Sequence, residues 1–344
     1  MTLTSKQPTV LIIGPTWVGD MLMAQSLFQV LKREYIDLNI DVLAPTWSAG
    51  LLKHFMEVRH VITHDMTHGQ FAWKARYHLG RQLAKQAYQQ AIVLPNSWKS
   101  ALIPFWAKIP QRTGYIGEMR YGLLNDIRKL NKSVLPKTVD QFVALGLPKN
   151  DTRPGKLTPY PHLSPGNAEY VLRRLNLPYT AEQPLLALCP GAEYGPAKRW
   201  PLEHFAHVAK EKIAQGWQVW IFGSATKKEI ELGARIQALV GERCVNLCGK
   251  TQLGEAIDLL ALARVVVSND SGLMHIAAAL GKPLIALYGS SSPDMTPPLT
   301  NKAHIVYLRL HCSPCFERSC PLGHLQCLRA VTPQSVLGIL KLYD

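Results

Sequence analysis

One acidic residue near the start of the chain, Asp20, stands out because of what precedes it. The apolar run Val10–Ile13 ends at Gly14, and a helical pattern begins a few residues later. The spacing Gly14-x4-Gly19 is that of a phosphate-binding loop, but Asp20 occupies the position of the phosphate-binding lysine. Because a carboxylate there repels a nucleotide phosphate, the loop is predicted to present an acid, or its conjugate base, at the mouth of a sheet.

In the second half, the segment Asn269–His275 joins the end of a β-branched run to the start of a helical pattern. The first free N–H groups of such a helix form an anion site. Ser271 and His275 lie one turn apart on the same helix face, where a hydroxyl and an imidazole can both reach a phosphate. The alternative is an ordinary helix start in which Asp270 or Ser271 only accepts backbone N–H groups.

A loop at the same predicted sheet edge, Gly191–Pro201, contains Lys198. This lysine can neutralise a diphosphate leaving group, although a solvated surface lysine is the commoner case. The chain has no Asp-x-Asp sequence, so a nucleotide site that chelates a metal has no obvious ligands. We therefore expect no metal and no cofactor. The negative charge of a leaving group would instead be stabilised by lysine and by helix N-termini.

Basic and aromatic residues alternate between positions 98 and 128 of the first half. This pattern is typical of a site for nucleic acid or for a phosphorylated sugar, although each charge taken singly can be structural. The residues are Trp98, Lys99, Trp106, Arg112, Tyr115, Arg120, Tyr121 and Arg128.

Four of the seven cysteines crowd into one segment with the spacing Cys312-x2-Cys315-x4-Cys320-x6-Cys327. The spacing suits zinc or an iron–sulfur cluster. Only one Cys-x2-Cys pair is present, however, and the second pair of the usual pattern is missing. The favoured interpretation is a cluster of reduced, structural thiols.

The formal net charge of +14 is concentrated in the first half of the chain. Residues 1–183 carry 22 Lys and Arg against 12 Asp and Glu, whereas the remainder carries 16 against 12. Such a field favours an anionic partner: nucleic acid, an anionic membrane face or a phosphorylated substrate. No apolar run reaches the ~18 residues of a membrane span, and no secretory signal is recognisable, so we expect a cytoplasmic protein.

Strand and helix patterns alternate through both halves, which predicts an α/β fold with two Rossmann-like domains facing a central cleft. A proline-rich stretch before Pro184 interrupts this alternation of strand and helix patterns. We predict an N-terminal domain at 1–165, a linker at 166–184, a C-terminal domain at 185–330 and a final helix at 331–344.

Several segments, in order along nearly the whole chain, resemble the ADP-heptose-dependent heptosyltransferases of glycosyltransferase family 9. These segments are Gly14–Asp20, Leu94–Ser97, Arg112–Gly114, Met119–Asp126, Pro190–Glu193 with Lys198–Pro201, and Asn269–His275. The resemblance implies a GT-B glycosyltransferase fold. It also implies an inverting, metal-independent transfer of L-glycero-D-manno-heptose from ADP-heptose to the first heptose of the lipopolysaccharide inner core, heptosyl-Kdo2-lipid A.

The resemblance also implies a role for each matching residue. Asp20 matches the general base and Lys198 the lysine that contacts the donor phosphates. The remaining donor-binding matches are Glu193, Tyr194, Asp270, Ser271, Gly272 and His275, and the acceptor-binding matches are Asn96, Lys99 and Arg120. Some relatives have a glutamate for the donor nucleoside where this chain has Lys227; Glu229 is close by, and the contact is left unassigned.

The implied partners are ADP-heptose, a phosphorylated lipid A–Kdo–heptose acceptor and the cytoplasmic face of the inner membrane, touched peripherally; no nucleic acid is expected. Besides a zinc or iron–sulfur protein built on Cys312–Cys327, two rival functions stay open. One is a heptosyltransferase of the same family with another acceptor, although Met119–Asp126 favours the heptosylated one. The other is a nucleic-acid-binding α/β protein, for which no helix-turn-helix, RNP or zinc-finger motif is found.

Overall fold

The computed structural model describes residues 7–66, 69–151, 153–156 and 158–344. It divides into two compact units, the first ending at Pro161 and the second beginning at His162. Each unit contains one sheet covered by helices. None of the described helices is both long and apolar enough to cross a bilayer.

The sheet of the first unit is built from β1 (Thr9–Ile13), β2 (Asn39–Pro45), β3 (Val58–His64), β4 (Gln90–Val93), β5 (Gln111–Tyr115) and β6 (Asp126–Arg128). Every pairing is parallel, in the order β3-β2-β1-β4-β5-β6. The central strand β1 is buried along its whole length, as expected when helices cover both faces of a parallel sheet.

The helices of the first unit are α1 (Val18–Glu34), α2 (Ala49–Leu52), α3 (Trp73–Leu83), α4 (Leu102–Trp106) and α5 (Thr138–Gly146). Short 3₁₀ turns at Thr46–Ser48, Ala84–Gln86 and Trp98–Ala101 adjoin them. The apolar face of α1 packs against α5, and α3 packs against α4.

The sheet of the second unit is built from β7 (Leu185–Cys189), β8 (Gln218–Ile221), β9 (Cys244–Asn246), β10 (Val265–Asn269), β11 (Leu284–Tyr288) and β12 (Ala303–Tyr307). Its order is β12-β11-β10-β7-β8-β9, again with parallel pairings. Strands β7, β10 and β11 are buried throughout, so the core of this unit is centred on them.

The helices of the second unit are α6 (Ala168–Leu175), α7 (Leu202–Ala214), α8 (Lys227–Val240), α9 (Leu253–Leu260), α10 (Gly272–Ala279), α11 (Gln326–Arg329) and α12 (Pro333–Leu340). Helix α6 lies in the stretch interpreted as a linker. It packs on α9, and a salt bridge of 2.6 Å joins Arg174 to Glu255. Helix α12 packs on α7.

Both sheets have the strand order of a doubly wound Rossmann fold, which confirms the predicted α/β class and its two Rossmann-like halves. In each sheet the order reverses at one point, between β1 and β4 in the first unit and between β7 and β10 in the second. Ligands of open α/β sheets bind outside the carboxyl ends of the strands at such a switch point. The loops that follow these four strands are therefore where a site is expected in each unit.

Candidate active site

Asp20 follows β1 at the switch point of the first unit. It lies in the first turn of α1 and is half-buried. The partial positive charge of a helix N-terminus favours a carboxylate at that position. The main-chain N–H of Gly14 donates to the carbonyl of Leu43 at 2.8 Å, which ties the loop before the helix to the neighbouring strand β2. The structure thus presents Asp20 on an anchored loop at the carboxyl edge of the sheet.

The loop after β4, on the other side of the same switch point, contains Asn96. Its side chain is exposed, and its carbonyl accepts the N–H of Glu118 at 3.1 Å. Glu118 in turn accepts the N–H of Trp98 through its carboxylate at 2.8 Å. Gly117 touches this loop so closely that an added Cβ would stand 2.3 Å from the carbonyl oxygen of Asn96. Two segments that are distant in sequence therefore fix the backbone around Asn96.

Lys99 is half-buried and is the second residue of the 3₁₀ turn Trp98–Ala101 in the same loop. Its Nζ donates to the carbonyl of Gln70 at 3.1 Å. The ring of the neighbouring Trp98 stacks on Phe71 with 6.2 Å between centroids and 17° between planes. Lys99 and Asn96 are thus brought to the carboxyl edge that also carries Asp20.

Arg120, the third residue to which the resemblance gives an acceptor-binding role, lies inside the first unit next to the loop that contains Asn96. Its side chain is fully buried, and Nη1 donates to the carbonyl of Pro95 at 2.7 Å. Nη2 donates to the carbonyl of Tyr115. Burial lowers its pKa from 12.5 to about 10. Arg120 therefore connects the ends of β4 and β5 and supports the loop that carries Asn96.

In the second unit, Lys198 and Asp270 form an ion pair at the β7–β10 switch point. Nζ of Lys198 lies 2.6 Å from Oδ2 of Asp270. The same oxygen accepts the hydroxyl of Ser291 at 2.5 Å. Ser291 follows β11, the strand beside β10. Loops after three adjacent strands thus meet at one carboxylate, and they hold an ammonium group at the carboxyl edge of the sheet.

Asn269, the last residue of β10, locks two of these loops together. Its Oδ1 accepts the N–H of Trp200 at 3.0 Å, and its Nδ2 donates to the carbonyl of Pro190 at 2.7 Å. Asn269 is completely buried. The segment that carries Lys198 is therefore fixed to β10 at Pro190, just before its first residue, and at Trp200, two residues after the lysine.

Ser271 precedes α10, and Gly272 is the first residue of the helix. The side chain of Ser271 makes no capping bond to the helix; instead its hydroxyl lies 3.4 Å from that of Ser268. The carboxylate of Asp270 is engaged by Lys198 and Ser291, as described above. The simple capped-helix alternative is therefore not what the structure shows at this helix start.

His275 lies one turn into α10 and is buried. Burial lowers its pKa from 6.5 to about 4; nearby Asp270 raises the pKa and nearby Lys198 lowers it. The imidazole is consequently neutral at pH 7. If it contacts a phosphate, it does so as a neutral hydrogen-bond donor and not as a cation.

Tyr194 packs the Lys198 loop against the cysteine-rich segment, whereas its neighbour Glu193 is exposed. The Tyr194 hydroxyl donates to the carbonyl of Phe316 at 2.6 Å. Its ring lies 5.1 Å from Nζ of Lys198 and 5.4 Å from the guanidinium carbon of Arg318. The Arg318 carbonyl also accepts the N–H of Ala197 at 3.0 Å. The cysteine-rich segment thus supports the loop that carries the lysine.

The four cysteines of that segment line one small cavity of about 20 Å³, which extends to Ser290 and His324. All four are free thiols. Across the described residues, no three His, Cys, Asp or Glu side chains are arranged so that they can hold a metal ion. In this geometry the segment is a support for the neighbouring loops.

The two candidates for a donor nucleoside contact lie in very different places. Lys227 is exposed at the start of α8 and pairs with Glu231 one turn away. Glu229 is buried, and its Oε2 accepts the N–H of Ser224 at 2.6 Å. A Cβ added to Gly191 would stand 2.4 Å from Oε1 of Glu229. Glu229 therefore lies between the carboxyl ends of β7 and β8, beside the loop that leads to Lys198.

Sequence reasoning missed Ser291 and the burial of Arg120, and it left Glu229 unassigned. A signal for Ser291 was present, because the run Ser290–Ser292 directly follows the buried strand β11 and all three serines are buried. Nothing local marks Arg120 as buried, since its carbonyl partners belong to other segments.

Comparison with known proteins decides the family. The sequence signature of Glycosyltransferase family 9 (heptosyltransferase) matches residues 76–326. This chain belongs to that family. It is therefore a glycosyltransferase, as the sequence predicts. A curated member, lipopolysaccharide heptosyltransferase 2 of Salmonella typhimurium, is 47% identical over 336 residues, covering 95% of this chain and 96% of that protein.

Other members of the family agree with this assignment. Lipooligosaccharide heptosyltransferase 2 of Haemophilus influenzae is 50% identical over 308 residues, covering 87% of this chain and 88% of that protein. The solved structure of Escherichia coli ADP-heptose lps heptosyltransferase II superposes with a TM-score of 0.87 at 43% identity, covering 97% of this chain and 98% of that one. This likeness confirms the predicted glycosyltransferase fold.

Proposed function

We propose that this heptosyltransferase moves L-glycero-D-manno-heptose from ADP-heptose to the first heptose of the lipopolysaccharide inner core, heptosyl-Kdo2-lipid A, with inversion at the transferred carbon. The names of its near relatives support the donor and the lipopolysaccharide acceptor. The observation that carries the residue roles is that both switch points present the side chains the reaction needs. The first has a carboxylate, Asp20, and the second has a held ammonium group, Lys198.

On the donor side, Lys198 is the cation that receives the diphosphate. Its ammonium is held by Asp270, so it is oriented before the donor binds. As the bond between the sugar carbon and the diphosphate oxygen breaks, negative charge grows on the departing ADP, and a preorganised cation stabilises that charge. The start of α10, from Ser271 and Gly272, adds backbone N–H groups, and neutral His275 lies below them.

Beside this charge site, Glu193 and Tyr194 are proposed to contact the donor from the same loop. The Tyr194 ring already lies against Lys198. For the nucleoside we assign Glu229 rather than Lys227, because its buried carboxylate lies at the carboxyl ends of β7 and β8 whereas Lys227 is exposed. A carboxylate in that place can accept hydrogen bonds from ribose hydroxyls.

On the acceptor side, Asp20 is the general base. It takes the proton of the attacking heptose hydroxyl while that oxygen bonds to the anomeric carbon of the donor, and ADP leaves from the opposite face. Asn96 and Lys99 are proposed to bind the phosphorylated acceptor, and buried Arg120 holds their loop in place. The first half of the chain carries most of the positive charge, which suits a phosphorylated glycolipid.

Because the acceptor is a lipid, we propose that the enzyme works in the cytoplasm, on the cytoplasmic face of the inner membrane and in peripheral contact with it. Nucleic acid is not a partner in this proposal. The charge of the first half then serves the glycolipid and the membrane.

The test is ADP release by the purified protein from ADP-heptose in EDTA, with Kdo2-lipid A acceptors that carry zero, one or two heptoses. We expect turnover on the one-heptose acceptor alone. Turnover on another acceptor would replace the proposed acceptor while keeping the family. Loss of turnover in EDTA, restored by a divalent cation, would overturn the metal-independent mechanism. No turnover on any of the three would overturn the proposed reaction.

A further inference from the structure

A long stretch of the first unit contains no carboxylate side chain. Between Asp65 and Glu118 the sequence has seven Lys and Arg residues and no Asp or Glu. The same stretch has eight aromatic residues. A stretch of 52 residues with this balance creates a local positive field that nothing within it cancels.

Helix α3 exposes several of these basic and aromatic side chains to solvent. Trp73, Tyr77 and Arg81 follow one another at intervals of four residues, so they form a stripe along one face of the helix. Trp73 is 54% exposed and Tyr77 is 40% exposed. Lys74 lies beside the stripe, with its Nζ 5.9 Å from the centre of the Trp73 ring. The face therefore combines exposed rings with exposed cations.

The neighbouring α4 region completes an open groove with the same chemistry. The groove, of about 440 Å³, is lined by Tyr77, Arg81, Phe105, Trp106, Lys108 and Arg112, three aromatic and three basic residues. The Tyr77 and Trp106 rings meet edge to face, 5.6 Å apart at 80°. Phe105, 40% exposed, lies under the guanidinium of Arg112 at 5.7 Å.

This aromatic-basic face of α3 and α4 is continuous with the acceptor loop. At the start of α3, Phe71 stacks on Trp98, and Lys99 donates to the carbonyl of Gln70. Nη1 of Arg76, inside α3, lies 3.4 Å from the carbonyl of Lys99. A surface that binds this face is therefore brought next to the loop proposed to hold the acceptor sugar.

We propose that the aromatic-basic face of α3 and α4 is the surface with which the enzyme lies on an anionic phospholipid bilayer. Amphipathic aromatic rings partition into the headgroup region, and exposed lysine and arginine side chains attract anionic lipid. This inference rests on the proposed function only in that the acceptor is taken to be a membrane lipid. The bilayer is bound through its bulk headgroups, independently of the acceptor molecule.

The geometry favours a bilayer over a nucleic acid. Single-stranded nucleic acids bind to aromatic faces on which successive bases stack. Within the groove, Tyr77 and Trp106 stand edge to face and Arg112 covers Phe105, so these three rings do not form a row of open parallel faces. Exposed Trp73 and Phe105 suit an interface where a ring rests among headgroups.

The test is cosedimentation of the purified full-length protein with vesicles that contain no acceptor. Vesicles of phosphatidylcholine are compared with vesicles that also contain phosphatidylglycerol. We expect binding that requires phosphatidylglycerol and weakens as salt rises. The double variant Arg81→Gln/Lys108→Gln should bind about 25-fold more weakly, at about fivefold for each cation removed. Trp73→Ser, which leaves the charge unchanged, should also weaken binding.

The control removes the same charge elsewhere: Lys210→Gln/Arg235→Gln changes two exposed cations of α7 and α8 in the second unit. It should bind as the wild type does. Equal weakening by both pairs would show that only net charge matters, and no binding by the wild type would show that the face is not a membrane surface. Binding to single-stranded DNA oligonucleotides without binding to vesicles would make it a nucleic-acid surface; each of these results overturns the proposal.

A separate readout keeps this inference apart from the proposed function. ADP release on detergent-dispersed acceptor should be the same for Arg81→Gln/Lys108→Gln and the wild type. If that reaction fails for both proteins, the proposed function fails, whereas vesicle binding still decides the face.

Discussion

The ammonium group of Lys198 lies 2.6 Å from Oδ2 of Asp270, and the hydroxyl of Ser291 reaches the same oxygen. Asp270 is buried, while Lys198 keeps part of its surface exposed. The carboxylate therefore holds the lysine in place and leaves it able to meet a second anion. Without the lysine, the same carboxylate would face an incoming diphosphate with no opposing charge.

Lys198→Ala should weaken ADP binding and slow transfer together, because it removes the cation and also exposes the phosphates to Asp270. We expect a loss of about 10²–10³ in kcat/KM for ADP-heptose, the range for removal of one electrostatic contact in the transition state. Calorimetric titration with ADP and steady-state kinetics measure the two effects. Unchanged ADP affinity and unchanged rate would remove Lys198 from the site.

Asp270→Asn, added to the Lys198→Ala variant, separates the loss of the cation from the repulsion by the exposed Asp270 carboxylate. Neutralising the carboxylate removes the repulsion that Lys198→Ala exposes, so the double variant should bind ADP more tightly than Lys198→Ala alone. If the two losses simply add, the carboxylate does not act through the lysine.

Asp20→Asn should leave ADP affinity nearly intact while it lowers turnover by about 10²–10⁴, the usual contribution of a general base. The asparagine keeps the size of the side chain, so the first turn of α1 is preserved. Kinetics with saturating ADP-heptose and acceptor isolate the chemical step. Turnover near that of the wild type would exclude Asp20 as the base.

Much of the fold could be read from the sequence, because buried parallel strands are continuous apolar runs. Strands β1, β7, β10 and β11 were recognisable in this way. Strand β3 was not, since its sequence Val-Arg-His-Val-Ile-Thr-His is partly exposed at the sheet edge. Strand β5, Gln-Arg-Thr-Gly-Tyr, has no apolar run and is held by pairing with its neighbours.

Some residues of the candidate site could likewise be predicted from the sequence, and others could not. Asp20, Lys198 and Asp270 could be placed from sequence because loops after apolar strands gather at one edge of a sheet. The burial of Arg120 could not be predicted, because its partners are the carbonyls of Pro95 and Tyr115. Backbone carbonyls carry no sequence signal, so only the folded chain shows that this arginine is an internal support.

Arg120→Leu should destabilise the first unit by about 2–4 kcal/mol. The substitution removes the Arg120 donors from the carbonyls of Pro95 and Tyr115, although the Ser100 hydroxyl still donates to Pro95, and a buried acceptor left unpaired costs about 1–3 kcal/mol. Urea unfolding, followed by far-UV circular dichroism, measures the change in midpoint. Arg33→Leu, at an exposed position of α1, is the matched control and should shift the midpoint little. Equal midpoints for the two variants would contradict the supporting role.

Gly117→Ala should raise KM for the acceptor and leave KM for ADP-heptose unchanged. Its φ is +48°, and an added Cβ would stand 2.3 Å from the carbonyl oxygen of Asn96, so the Asn96 loop has to move. Gly122→Ala is a sharp control, because Gly122 also has a positive φ, +77°, but a Cβ there meets nothing within 4 Å. The two variants share the backbone strain and differ in the contact. Equal effects on acceptor KM would show that strain alone matters.

His275 should make the protein less stable as the pH falls below its ordinary pKa. Burial holds the folded-state pKa at about 4, whereas the unfolded chain has a pKa of about 6.5, so between these values the unfolded state binds the extra proton. Stability is then full above pH 7 and falls by up to about 1.4 kcal/mol per pH unit as the pH drops from 6.5 towards 4. Asp270 opposes this shift and Lys198 adds to it. Urea midpoints measured at pH 7.5, 6 and 5 should therefore decline. For His275→Asn the decline should be less steep, because unfolding of this variant takes up about one proton fewer. If the two slopes are equal, His275 is not the neutral, buried group that the structure shows one turn into α10.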